Sequence, residues 1–210
     1  MPKQTFFNLP MDKRNKIIKA AIDEFSEHPY RQASVNRIVE KSGIAKGSFY
    51  QYFKDKKDLY KFIIKISSEQ KLEYLQHILK DMEKLNFFQL IRELYIAGIQ
   101  FAKENPELFS IGARFIKEKD NELFDEIMED SREKSQEFLK YILIKGMEKG
   151  EVDSAVDADL VAMLITSLSI NISEYYMKTR EGEDLMGIYA IVDKMLYIIE
   201  NGIKAKKKED

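Results

Sequence analysis

Residues 45–52, AKGSFYQY, gather hydrogen-bonding chemistry onto one short stretch. Ser48, Tyr50, Gln51 and Tyr52 offer donors and acceptors opposite or beside Phe49 and Phe53, which share the spacing of four that turns them inward on a helix. Gly47 has no side chain to hold the backbone away from a large partner. Just beyond, Asp55 can cap a new helix, and Asp58 sits three residues on, where a carboxylate suits the positive helix end. Lys56 and Lys57 lie between them, and two ammonium groups in a first turn oppose the local dipole.

Catalytic chemistry finds no comparable concentration. The chain has no cysteine, which excludes disulfides, thiolate zinc sites and cysteine nucleophiles. His28 and His77 are too few for a histidine-rich metal site, and neither has a glutamate three residues before it, as a carboxylate-histidine metal bundle requires. There is no GxSxG elbow and no phosphate-binding loop. The expectation is a protein that is not an enzyme and holds neither metal nor cofactor.

These features must be positioned by a chain of 210 residues with 44% apolar content, enough for one large or two small domains. The net charge of −2 hides a division: residues 1–60 hold 12 Lys and Arg against 7 Asp and Glu, a balance of +5, and the remainder carries −7. A basic head on an acidic body points to a polyanion partner for the head alone. The amino terminus lacks the long apolar core of a signal peptide, and runs such as LVAMLI at 160–165 are too short to span a bilayer, so a cytoplasmic protein without membrane contact is expected.

Four prolines, nine glycines and pervasive helical periodicity predict an all-α fold of about nine helices. The first, over 12–27, carries Ile18, Ala21, Ile22 and Phe25 on one stripe, and HPYRQA ends it. Ser34 is a suitable cap for a second, with Val35, Ile38 and Val39 inward; Gly43 supplies the left-handed position that stops it, and Ile44 plugs the turn. A third covers 45–52 and a fourth runs from the Asp55 cap to about Lys84. Further helices are predicted at 87–104, 106–117, 121–149, 157–179 and 184–203. The organisation read from this is a domain at 1–60, a helical domain at 61–203 and a basic tail at 204–210.

Two short helices joined by a tight glycine turn form a helix-turn-helix, whose second helix enters the DNA major groove by its amino-terminal residues. Over residues 12–62, and most closely in GSFYQYF followed by FKDKKDL, the sequence resembles the DNA-binding domain of the TetR family of bacterial transcription regulators. The resemblance implies a homodimer on a palindromic operator. Ser34 and Tyr50 match the family's backbone anchors, while Asn36, Lys46, Ser48, Gln51 and Tyr52 occupy places from which members reach bases or phosphates, with Gly47 allowing close approach. Amide side chains suit adenine and lysine suits guanine, which makes Asn36, Gln51 and Lys46 the chemically apt base readers. Lys56 matches the family's phosphate-contacting lysine, and a phosphate would offset its unfavourable dipole position.

The carboxy-terminal half resembles the family only in general terms. The family pairs its last two helices across the dimer, which implicates Leu164, Leu168, Tyr175, Ile188, Val192, Leu196 and Ile199. Tyr74, Tyr95, Phe101, Phe109, Phe115, Phe138, Ser167, Asn171 and Tyr175 could line a pocket with apolar walls and a few polar groups. Its ligand would be an apolar or aromatic small molecule, and members of the family are repressors released from DNA when such an effector binds. The alternative is a helix-turn-helix protein with an architectural or protein-partnered role and no effector.

Overall fold

The computed structural model describes residues 1–118, 121–179 and 185–203; within them, nothing is described for the side chains of 117–118, 121–122, 124–125, 128–136, 169–170, 173–174, 176–177, 185–186 and 188. The side chain of Ile188 and the whole basic tail at 204–210 therefore lie outside what is described. The described chain contains α-helices and no strand: α1 (Gln4–Phe7), α2 (Met11–Glu27), α3 (Val35–Ser42), α4 (Lys46–Tyr52), α5 (Lys56–Asp81), α6 (Phe87–Glu104), α7 (Pro106–Glu118), α8 (Asn121–Glu148), α9 (Ala158–Thr179) and α10 (Leu185–Ile203). A 3₁₀ turn at Met82–Lys84 follows α5. None of the described helices is long and apolar enough to cross a membrane.

The chain folds as two compact units, one joining residues 1–70 to 105–127 and the other joining 71–104 to 128–210. The first is built on α2, α3 and α4, with α7 packed against α2. Its interior holds Ile17, Phe25, Ile38, Phe49, Phe53, Leu59 and Ile63, all at most 1% exposed. Helix α3 stops at Gly43, whose φ of 68° is left-handed, and the amide of Ile44 returns to the Val39 carbonyl at 3.2 Å. Ile44 is buried beneath that turn.

The second unit centres on α6, which packs against both α9 and α10. Asn86 and Gln89 cap α6 reciprocally, each side-chain oxygen accepting the other's backbone N–H at 2.9 and 3.0 Å. Ile91, Ile96, Ile99, Leu143 and Val152 form the innermost packing. Where α8 gives way to the 149–157 connection, Gly146 is required: a Cβ there would stand 2.9 Å from Val152 and 3.2 Å from Phe87. Helix α9 starts under Asp157, whose carboxylate accepts the Asp159 and Leu160 amides at 2.9 and 3.0 Å.

Two expectations are corrected. The periodicity places the first helix at 12–27, yet a shorter α1 precedes it, with Phe6 1% exposed and its ring 5.0 Å from Phe53 and 5.5 Å from Phe62. Ser34 makes no side-chain cap. Its backbone N–H donates instead to Glu24 at 2.7 Å, so a carboxylate from α2 satisfies the start of α3.

Candidate nucleic-acid interface

Helix α4 is held from below by Phe49, which is fully buried, and by the apolar seat that Phe53 and Ile38 complete. Its opposite face is open: Lys46, Gly47 and Gln51 are exposed, Tyr50 is 48% exposed and Ser48 is half-buried. A Cβ added to Gly47 would meet nothing within 4 Å, and no positive φ sets the residue apart. Nothing in this chain's own packing demands glycine there. On α3, Asn36 is exposed and Ser34 half-buried. Tyr52 does not join them. Expected among the residues that reach DNA, it is 6% exposed and turned toward Phe6, with ring centroids 6.3 Å apart. Its place at the end of α4, one residue before the buried Phe53, puts it over the core.

The connection between α2 and α3 is fixed by cations. Glu24, fully buried on α2, receives both Arg37 Nε at 2.9 Å and the Ser34 amide, while Arg37 also donates to the Gln32 carbonyl at 2.9 Å. Burial acts on the Glu24 carboxyl to raise its pKa, but the Arg37 and Ser34 hydrogen bonds and the nearby positive charge outweigh it and hold it below the ordinary 4.5. Arg114 on α7 donates to the Phe25 and Ser26 carbonyls at 3.2 and 3.0 Å, closing the end of α2.

Lys56 belongs to this set. Its ammonium donates to the carbonyls of Tyr30 at 2.7 Å and Ala33 at 2.8 Å, reaches Arg31 O at 3.4 Å, and lies 4.6 Å from the Tyr30 ring centre. Burial lowers its pKa. The resemblance assigns this lysine to a DNA phosphate; in the structure its donors are directed into the protein. Lys57 is also partnered, pairing with Glu126 at 2.8 Å, and Lys61 joins the same carboxylate, which the two ammonium groups hold down at a pKa of about 2. The unfavourable dipole position of both lysines is thus offset within the fold. The cap itself forms as expected: Asp55 accepts the Asp58 amide at 2.8 Å, and Asp58 accepts that of Lys54 at 3.1 Å.

The residues expected to line an effector pocket are divided between the two units. Phe109 and Phe115 belong to the first, where Phe115 is buried with its ring 6.1 Å from that of Tyr60. In the second, Tyr95 is buried, donates its hydroxyl to the Ile165 carbonyl at 2.8 Å and has its pKa pushed up by burial. Tyr74 stacks edge-on against the buried Phe101 at 5.7 Å and donates to Glu104, and Phe138 packs half-buried against the core. Ser167, Asn171 and Tyr175 are not brought to these aromatics. All three are exposed; Ser167 donates to Met163 O and Asn171 to Ser167 O, both at 2.9 Å along their own helix.

That exposed face of α9 is otherwise apolar, with Leu160 50%, Met163 47%, Leu164 49% and Leu168 36% exposed. On α10 the expected interface is corrected. Val192 is 0% and Leu196 7% exposed, both inside the second unit's own core, and Ile199 packs half-buried against it. Among the described side chains of α10, the large apolar residues turned outward are Tyr197 and Ile198, at 71% and 74% exposure. The polar residues of α10 mark its outer face: Asp193, paired to Arg92 at 2.6 Å, Lys194 and Asn201 are exposed on the side of Tyr197, opposite Val192 and Leu196.

Comparison with known proteins agrees with this architecture. The family model for bacterial regulatory proteins of the tetR family matches residues 17–62, which span α2 to the start of α5. A TetR family transcriptional regulator from Chloroflexus aurantiacus J-10-FL is 30% identical, with a TM-score of 0.79 over 98% of this chain and all of that one. The fatty acid metabolism regulator protein of Bacillus subtilis is 23% identical over 203 residues, covering 92% of this chain and 97% of its own. The structure of FadR from Bacillus subtilis in complex with stearoyl-CoA superposes with a TM-score of 0.72 at 22% identity, covering 90% and 98% of the two chains. A basic, open-faced recognition helix on a glycine turn, a wholly helical chain and a full-length relative at this identity lead to one assignment: the chain belongs to the TetR family of transcriptional regulators.

Proposed function

We propose that the protein is a homodimeric repressor that reads a palindromic operator through α4 and leaves it when a small apolar molecule binds the helical region at 61–203. The observation that carries the DNA-reading half is the open face of α4, where Gly47 has no packing reason to be glycine and Lys46, Ser48, Tyr50 and Gln51 stand ready around it. Lys46 and Gln51 read base edges, Tyr50 and Ser34 hold the phosphate backbone, and Asn36 contributes from α3. Tyr52 has no part in this, and Lys56 acts by bracing the α2–α3 connection. Leu164, Leu168 and Tyr175 of α9, with Tyr197 and Ile198 of α10, form the dimer face. A twofold pair places two recognition helices on half-sites about one helical turn apart.

The effector half rests on the apolar interior of the second unit and on the relatives. Long-chain acyl-CoA, whose acyl tail is its apolar part and whose coenzyme A head is anionic, heads the panel of candidate effectors because a similar regulator has been solved with stearoyl-CoA. The test is to select a duplex from a random-sequence pool with the full-length protein, footprint it, and titrate acyl-CoA of increasing chain length into the complex. A symmetric footprint released by one chain-length class supports the proposal. Binding that ignores sequence and symmetry would remove the operator reading, and a footprint that no apolar ligand releases would favour the architectural alternative.

A further inference from the structure

The recognition helix α4 has seven residues, well below the length at which an isolated helix is stable, and it lacks the device that ends α3. No left-handed residue closes it: Phe53 follows in an extended conformation, at φ −126° and ψ 148°. Its last carbonyls must find donors elsewhere. Phe49 O takes the Phe53 amide at 2.9 Å. The next three are met by the amino-terminal segment: Tyr50 O by the Lys3 ammonium at 2.8 Å, Gln51 O by the Thr5 hydroxyl, and Tyr52 O by the Lys3 backbone amide at 2.8 Å. Phe6 then anchors the segment, buried against Phe53 and Phe62.

We propose that residues 3–6 are an external cap that fixes the pitch and end of the recognition helix, and that Lys3 is a positioning residue and not a DNA ligand. A lysine next to a DNA-reading helix would ordinarily be assigned to a phosphate. Here its positive charge sits at the negative end of the α4 dipole, and its side chain and its amide bond two carbonyls of the same turn. Thr5 completes the set with an uncharged donor, which is the chemistry of a cap and contributes nothing to counterion release. The proposal rests on α4 being the DNA-reading helix.

The experiment uses the full-length protein and the duplex that the wild type selects from a random pool. Lys3→Met with Thr5→Val is compared with Lys3→Arg and wild type by thermal melting, by hydrogen exchange of α4 in the absence of DNA, and by affinity across a salt series. The double variant should keep a cooperative melt, exchange the α4 amides faster, and bind about tenfold more weakly with an unchanged salt slope. Lys3→Arg, which keeps a cationic donor, should restore most of the affinity. A salt slope that falls by about one for each copy of Lys3, with α4 exchange unaltered, makes Lys3 a phosphate ligand and overturns the proposal. Unaltered exchange with unaltered affinity overturns it as well. Loss of the cooperative melt in the double variant passes the decision to Lys3→Met alone, read by the same exchange and salt criteria. Failure of the wild type to select any duplex would instead refute the DNA reading, while the exchange result still decides whether the cap exists.

Discussion

The outward faces of α4 and α9 are both exposed, and they are chemically opposite. On α4 the exposed groups are an ammonium, an amide and a phenol around a glycine; on α9 they are mainly leucines, a methionine and a tyrosine, with Ser167 and Asn171 bonded back to their own helix, and on α10 Tyr197 and Ile198 are exposed as well. Polar groups in water are already satisfied and lose little by waiting for a partner. A contiguous apolar face is different, because water is a poor solvent for it and burial against another chain is the ordinary remedy. Exposure alone therefore marks a surface without naming its partner, and the polarity of the exposed groups separates a DNA-facing surface from a protein-facing one.

The sharpest way to break that comparison sets an exposed leucine against a buried valine. Val192→Asp places a charge in the second unit's core and should cost at least about 4 kcal/mol, leaving a protein that melts early or fails to fold in thermal denaturation. Leu168→Asp should leave the melt of the subunit largely intact and yield monomers in sedimentation, with operator binding impaired. If Leu168→Asp stays dimeric, the apolar face of α9 is not the interface.

Next in size are the bracing contacts. Glu24→Gln loses charge-assisted bonds to Arg37 and should destabilise by about 1.5–3 kcal/mol. Because the folded pKa of Glu24 is lowered, its stabilisation is complete above the unfolded value near 4.5 and fades as pH falls through the folded one. Melting curves of wild type and variant should converge in that acid window; a gap that does not narrow would place the stabilisation elsewhere. On the DNA side, Gln51→Ala or Lys46→Ala should cost about 1–3 kcal/mol at one base position and relax specificity there, as read by binding to single-substituted duplexes. Tyr52→Phe should leave base preference unchanged.

The smallest effect carries two signs. Gly47→Ala should raise stability by about 0.5 kcal/mol, since a helical alanine loses less entropy and the added methyl group meets no neighbour. It should nonetheless weaken operator binding if the DNA backbone comes close. Tighter binding alongside the stability gain would show that the glycine is not kept for DNA.

Much of this was legible in the sequence where a local signal repeats. The α6 helix spans the 87–104 that its periodicity predicts, and Gly43 marks the left-handed turn that ends α3. The short α1 escaped because four residues carry no period, and Phe6 looks the same in sequence whether buried or free. The direction of α10, by contrast, was legible: Asp193, Lys194 and Asn201 share one exposed face with Tyr197, which puts Val192 and Leu196 on the opposite, inward side. Lys56 stands out in the sequence because it opposes the helix dipole, yet its partners at residues 30, 31 and 33 are fixed by the tertiary fold and leave no mark in the spacing. The same holds for Arg114, whose acceptors lie 88 and 89 residues earlier.

That last distance bears on how the protein is made. The first unit needs residues 105–127 as well as 1–70, so the helix-turn-helix leaves the ribosome before the strut that closes α2 has been translated. At about 5–20 residues per second, the nascent amino-terminal segment waits on the order of seconds with the carbonyls of Phe25 and Ser26 facing water. A fragment cut at the end of the family match, residue 62, would stay in that unfinished condition permanently.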